Sequence, residues 1–172
     1  MNIGIVTAGG VCPGVNSLIH TLTLYENSQG NRIYGFNEGF RGINNNARVA
    51  LSPKKTEEGA GSILRVSCDP IELEKARETI RDIDRLYCIC GNESMKSAKN
   101  IALYDDIKAN IIGIPKTIFN DIPGIESVGF QTAVQEFAKY IDFAYTEATT
   151  TNSIVFLEAP GKRETGLAMN AT

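Results

Sequence analysis

The sequence predicts an α/β fold in which a mostly parallel sheet carries helices on both faces. Three observations support this. Short apolar runs alternate with segments of helical period, a pattern of strands joined by crossover helices. The first run, Ile3-Gly4-Ile5-Val6-Thr7, is followed at once by a glycine-rich loop and an amphipathic helix. Finally, polar and glycine-rich sequence follows every major apolar run, so that it gathers along one edge of the sheet, the edge where open α/β sheets bind ligands.

The elements follow in order. After Ile3–Thr7 and the loop 8–14, Val15, Leu18, Ile19, Leu22 and Tyr25 share one face of a helix that Gly30 can stop. Arg32–Phe36 is the second strand. A polar stretch through Gly61 offers one short strand, Arg48–Leu51, and otherwise reads as surface loop. Asp69 then caps a helix with Pro70 at its first position, and Ile71, Ala76, Ile80 and Ile83 carry it to about Arg85. Leu86–Cys90 is a strand, Met95, Ala98, Ala102 and Leu103 mark a helix, and Ile111–Ile114 a strand. Ala133, Val134, Phe137, Tyr140, Ile141 and Ala144 space a further helix, and Ser153–Leu157 is the last strand.

With 172 residues, 42% of them hydrophobic, the chain suits one domain, residues 1–172. A formal charge of −3 and 17 scattered basic residues give no footprint for nucleic acid or an anionic membrane. The amino terminus enters a strand pattern directly and no run reaches membrane length, so a cytoplasmic protein is expected. Cys12, Cys68, Cys88 and Cys90 lack the paired spacing of a metal site, and reduced thiols, buried in the strand at Cys88 and Cys90, are the reading; no cofactor is called for. His20, the only histidine, falls on a helix without an evident partner and is read as structural.

The first loop, Gly9-Gly10-Val11-Cys12-Pro13-Gly14-Val15-Asn16, is either a plain turn or an anion cradle in which backbone N–H groups and a helix dipole face a phosphate. Three further loops on the same edge favour the cradle: Gly91-Asn92-Glu93-Ser94, Pro115-Lys116-Thr117-Ile118-Phe119-Asn120-Asp121, and Glu158 through Lys162 and Arg163.

Together these segments resemble the phosphofructokinase family. Gly9 to Asn16 matches its Gly-Gly-x-x-Pro-Gly-x-Asn loop, Glu38-Gly39-Phe40-Arg41-Gly42 its loop after the second strand, Gly129-Phe130-Gln131-Thr132-Ala133 a helix start, and Gly161 to Ala168 its Gly-Arg-x-x-Gly-x-Leu-Ala segment. The resemblance spans the chain but only about the first half of such an enzyme, and implies a Rossmann-like, truncated phosphofructokinase-like domain. Four departures fall on working groups. Asn92 stands where the family has the aspartate that serves magnesium, and a hard divalent cation wants anionic oxygen. Phe119 stands at the catalytic base. Cys68 aligns with a phosphate-binding arginine, with Arg65 nearby, and Pro160-Gly161-Lys162 replaces Met-Gly-Arg. A shifted alignment using Asp105-Asp106 is the alternative.

Lys116 and Glu93 lean toward the pyrophosphate-using branch, where an acid obstructs ATP; Glu93 also suits a helix N-terminus on its own account. Losing the base alone costs a factor of about 100 to 10,000. The resemblance therefore implies a pseudoenzyme without catalytic residues or metal. It would hold a phosphorylated or nucleotide-like small molecule unchanged, sequestering or sensing it, as a viral sponge for a nucleotide signal would. Its ligand-binding set is Gly10, Val11, Cys12, Pro13, Gly14, Asn16, Asn92, Glu93, Ser94, Lys116, Thr117, Asn120, Asp121, Lys162 and Arg163. Phe119, Tyr87 and Tyr104 are either stacking platforms for a base or core. The alternatives are a regulatory or structural partner of an intact kinase and a residual pyrophosphate-dependent enzyme. A homo-oligomer is expected, with no nucleic acid polymer and no membrane as partner.

Overall fold

A computed structural model describes residues 1–54, 56, 61–122, 124–161 and 166–171. Its five strands are β1 (Asn2–Ala8), β2 (Arg32–Phe36), β3 (Arg48–Leu51), β4 (Arg85–Cys90) and β5 (Asn110–Pro115), in the order β3-β2-β1-β4-β5. All pairs are parallel except β2 with β3, the antiparallel edge strand.

Side chains of β1 and β4 alternate between two apolar layers, as strands buried on both faces must. Val6, Ala8, Leu86, Cys88 and Cys90 face one layer, with Phe40, Ile43, Ala76, Ile80, Ala98 and Ile101. Ile3, Ile5, Tyr87 and Ile89 face the other, with Val15 and Ile19. The helices supplying these layers are α1 (Val15–Ser28), α2 (Phe40–Asn44), α3 (Leu73–Thr79) and α4 (Asn92–Ala102). At the end of the sheet away from the loops, the fully buried Glu26 accepts bonds from Arg85 (2.8 Å), Tyr87 Oη (2.6 Å) and Asn31 (2.6 Å). Burial pushes its carboxyl up, but those bonds outweigh it and hold the group below the ordinary glutamate value.

Several expectations need correction. Asp69 does not cap a helix, because its carboxylate takes the Arg41 Nε–H at 2.8 Å; α3 starts at Leu73, with Glu72 as N-cap and its N–H given to Asn44 Oδ1. That helix also ends at Thr79 rather than near Arg85. The polar stretch holds a helix, α2, that apolar periodicity over five residues is too short to reveal. His20 does have a partner: its Nδ1 lies 2.8 Å from Thr56 Oγ1. All four cysteines are free, with Cys12, Cys88 and Cys90 buried and Cys68 exposed.

The largest correction concerns Ser153–Leu157, which pairs with no strand among the described residues. It runs beside α5 (Phe130–Thr151) and α6 (Gly166–Ala171), and of α5 only Phe130 is buried. No helix among the described residues is long and apolar enough to cross a membrane.

Candidate functional site

Strand order reverses direction at β1 and β4, with α1 on one face of the sheet and α4 on the other. A crevice opens beyond the carboxyl ends at such a switch point. It holds a cavity of about 680 Å³, walled by Gly9–Cys12 after β1, Gly91–Ser94 and Ser97 after β4, Lys116–Phe119 and Asp121 after β5, and Cys68–Pro70.

The wall after β1 is held from three sides. Gly9 N–H donates to the Ser67 carbonyl at 2.8 Å, and a Cβ on Gly9 would sit 3.3 Å from Ser94 Oγ in a left-handed backbone (φ 93°) that a side chain disfavours. The Cys12 thiol donates to the Val128 carbonyl at 3.1 Å, where Gly129 comes so close that a Cβ would lie 2.1 Å from the sulfur. The Lys116 ammonium donates to the Gly10 carbonyl. Lys116 is only 2% exposed, and burial lowers its pKa from the ordinary lysine value. Burial likewise pushes the Cys12 thiol up, against the pull of Lys116.

Two sets of backbone amides complete the donor inventory. The first intrahelical bond of α4 runs from Met95 N–H to the Gly91 carbonyl at 2.9 Å, so the amides of Asn92, Glu93 and Ser94 precede the helical ladder. Those of Gly10 and Val11 have no hydrogen-bond partner among the described residues.

Carboxylates face these donors, and each is engaged through at least one oxygen. Asp69 is bonded to Arg41, which together with Ser67 holds its pKa down, and Glu93 pairs with Lys96 at 2.9 Å. Asp121 accepts from the Asn92 amide through Oδ2 at 3.2 Å, while its buried Oδ1 has no partner among the described residues.

Of the residues expected at the site, Gly10, Val11, Cys12, Asn92, Glu93, Ser94, Lys116, Thr117 and Asp121 meet at this cavity. Pro13, Gly14, Asn16 and Asn120 do not line it. Gly14 is the left-handed N-cap of α1 (φ 81°), and Asn16 is buried, its Oδ1 accepting from Ile63 N–H at 2.7 Å to tie down the loop at 61–65. Asn120, itself left-handed (φ 51°), accepts from Ser127 N–H at 3.3 Å and shapes the turn after β5. Lys162 and Arg163 lie outside the described residues. Gly9, Gly91 and Ile118 join them from the loops expected at this edge, whereas Asp69, Pro70 and Ser97 line the cavity without having been expected there; for Asp69 the only signal was a capping pattern, which pointed to a different role.

Phe119 lines the cavity, whereas Tyr87 is core and Tyr104 is bonded to Glu74. Asp106 pairs with Arg77 at 3.1 Å, and neither it nor Asp105 lines the cavity.

The Phosphofructokinase family model matches residues 2–172. ATP-dependent 6-phosphofructokinase 1 of Arabidopsis thaliana is 36% identical, aligned over 98% of this chain and 38% of its own length. The ATP-dependent 6-phosphofructokinase of Sulfurihydrogenibium sp. is 33% identical over 98% of this chain and 57% of its own. Among solved structures, Pichia pastoris phosphofructokinase superimposes with a TM-score of 0.72 at 21% identity, covering 83% of this chain and 18% of that one. The pyrophosphate-dependent phosphofructokinase of Marinobacter aquaeolei gives 0.72 at 20% identity, over 87% and 42%. This chain thus spans well under two thirds of the length of these relatives.

Proposed function

This chain belongs to the phosphofructokinase family, and from that premise we propose that its cavity holds a phosphorylated small molecule, a sugar phosphate or a nucleotide, without turning it over. A phosphoryl group meets the amides of Gly10, Val11 and Asn92–Ser94 and the Lys116 ammonium. Phe119 offers its ring as an apolar wall. The ligand-binding set is then Gly10, Val11, Cys12, Asn92, Glu93, Ser94, Lys116, Thr117 and Asp121.

The observation that carries this reading is the bond from Asn92 to Asp121. An amide N–H donor occupies the side of the carboxylate that a shared divalent cation would need, and a phenylalanine stands where the family's base would be. The magnesium that the family implies does not fit these residues, so no step is routed through it. Phosphoryl transfer stripped of base and metal loses several orders of magnitude.

A residual kinase is the second reading, favoured by the named activity of the relatives and by the unpartnered Asp121 oxygen, which would have to serve as base. Calorimetric titration with fructose 6-phosphate, pyrophosphate, ATP and ADP-ribose, in magnesium and in EDTA, separates the two. Equal affinity in both buffers, with the ligand recovered intact by mass analysis, is the expected result. Binding that requires magnesium would favour the kinase, and silence across the series would move the function to a protein partner.

A further inference from the structure

The N-terminus of α5 presents hydrogen-bond donors with nothing to receive them. Its N-cap is Gly129, which has no side chain to cap the helix, and its first turn carries no acidic residue. Phe130 N–H turns back to the Ser127 carbonyl at 3.3 Å, and the first bond of the helical ladder runs from Ala133 N–H to the Gly129 carbonyl at 3.0 Å. Between them, the amides of Gln131 and Thr132 have no hydrogen-bond partner among the described residues.

A side-chain donor stands at the same place. Ser127 is only 4% exposed, and its buried Oγ has no partner among the described residues. A buried hydroxyl left unpaired costs stability, so one retained beside free amides marks a place for an acceptor. Ser127 lines a recess of about 330 Å³ with Glu126, Val128, Gly129, Gln131 and Thr132, and none of these lines the larger cavity. Bonds from the interior of the chain fix the recess. Val128 N–H donates to the Pro115 carbonyl at 3.0 Å, the Val128 carbonyl accepts from Thr117 N–H at 3.2 Å and from the Cys12 thiol at 3.1 Å, and Ser127 N–H is held by Asn120.

We propose that this recess is a binding site for a carboxylate, separate from the cavity and independent of what the cavity holds. Two amides and a hydroxyl match the acceptor sites of one carboxylate's two oxygens, and α5, 22 residues long, adds the positive end of its dipole. A phosphate dianion suits the recess less well. No Lys or Arg lines it and Glu126 does, which sets a like charge against the second negative charge of a phosphate. A free small acid and the C-terminal group of a peptide offer the same chemistry.

Amide NMR of the isotope-labelled chain, titrated with sodium acetate, acetyl-dialanine and sodium phosphate against sodium chloride at matched ionic strength, tests the proposal. The expected result is a saturable shift of the Gln131 and Thr132 amides with acetate, absent with chloride and at least about tenfold weaker with phosphate. Ser127→Ala should weaken acetate about tenfold. Because the hydroxyl bonds nothing else, the same change should leave the melting temperature equal or higher, which a merely structural serine would not. Glu126→Gln, at an exposed position, should narrow the gap between phosphate and acetate. Acetyl-dialanine binding about tenfold tighter than acetate assigns the site to a polypeptide terminus, and equal affinity assigns it to a free acid; both support the proposal. No saturable shift, the same shift with chloride, phosphate binding as tightly as acetate, or a Ser127→Ala variant that binds as the parent does would overturn it.

Discussion

Leu86–Cys90 and Ser153–Leu157 are runs of similar length and composition, and both read as strands from sequence. The first is sandwiched between β1 and β5 with layers on both faces, and every one of its residues is buried. The second has a helix on one side and, among the described residues, nothing paired to its edges. Apolar alternation reports a segment's capacity to join a sheet, whereas the ladder itself is supplied by distant sequence.

The sharpest way to break this contrast is a pair of truncations. Phe40→Ala opens a cavity under the sheet and should cost about 3–5 kcal/mol, while Phe156→Ala, on a ring already in solvent, should change monomer stability by less than about 0.5 kcal/mol. Urea unfolding of both variants under monomeric conditions checks this; similar losses would mean that the 153–157 segment is packed after all.

Next comes Glu26, buried at the far end of the same sheet. Glu26→Ala strands Arg85 and should destabilise by about 3 kcal/mol. Because the folded carboxyl lies below the ordinary glutamate value, its contribution is present above that value and is lost as pH falls through the depressed one. Acid unfolding of Glu26→Gln should therefore show a flatter slope in that window.

Lys116→Met should weaken a phosphorylated ligand about 10- to 100-fold with the fold intact, read by calorimetry. Its pKa is depressed by burial, so ligand affinity should fall as pH rises through a value below that of ordinary lysine. Over the same window folding stability should rise, since the unfolded lysine still binds a proton there.

The smallest effect is expected at Asn92. Placing a second carboxylate beside Asp121 in Asn92→Asp should create stabilisation by magnesium of about 1 kcal/mol, seen as a shift in melting temperature that the parent chain lacks. An equal shift in the parent would mean that Asp121 holds the cation without help.

The five strands of the sheet and helices α1, α4 and α5 were legible because each rests on local periodicity: those helices begin within a few residues of where their apolar spacing starts. Asp69 was misread because Asp-Pro is a local capping signal, whereas its carboxylate is claimed by Arg41, 28 residues earlier. Asn16 was misread for a similar reason, its side chain serving a loop 47 residues away rather than the cavity. The cavity's loops were legible from glycine content; which side chains turn into it depends on contacts between loops that no single segment encodes.

The most direct test of the central claim is phosphorus NMR of the purified chain incubated with fructose 6-phosphate, magnesium and either ATP or pyrophosphate, followed over hours. Unchanged donor and sugar-phosphate signals, broadened or shifted only by binding, are what a cavity with Phe119 and Asn92 at its working positions should give. Growth of a fructose 1,6-bisphosphate signal that Asp121→Asn abolishes would contradict it.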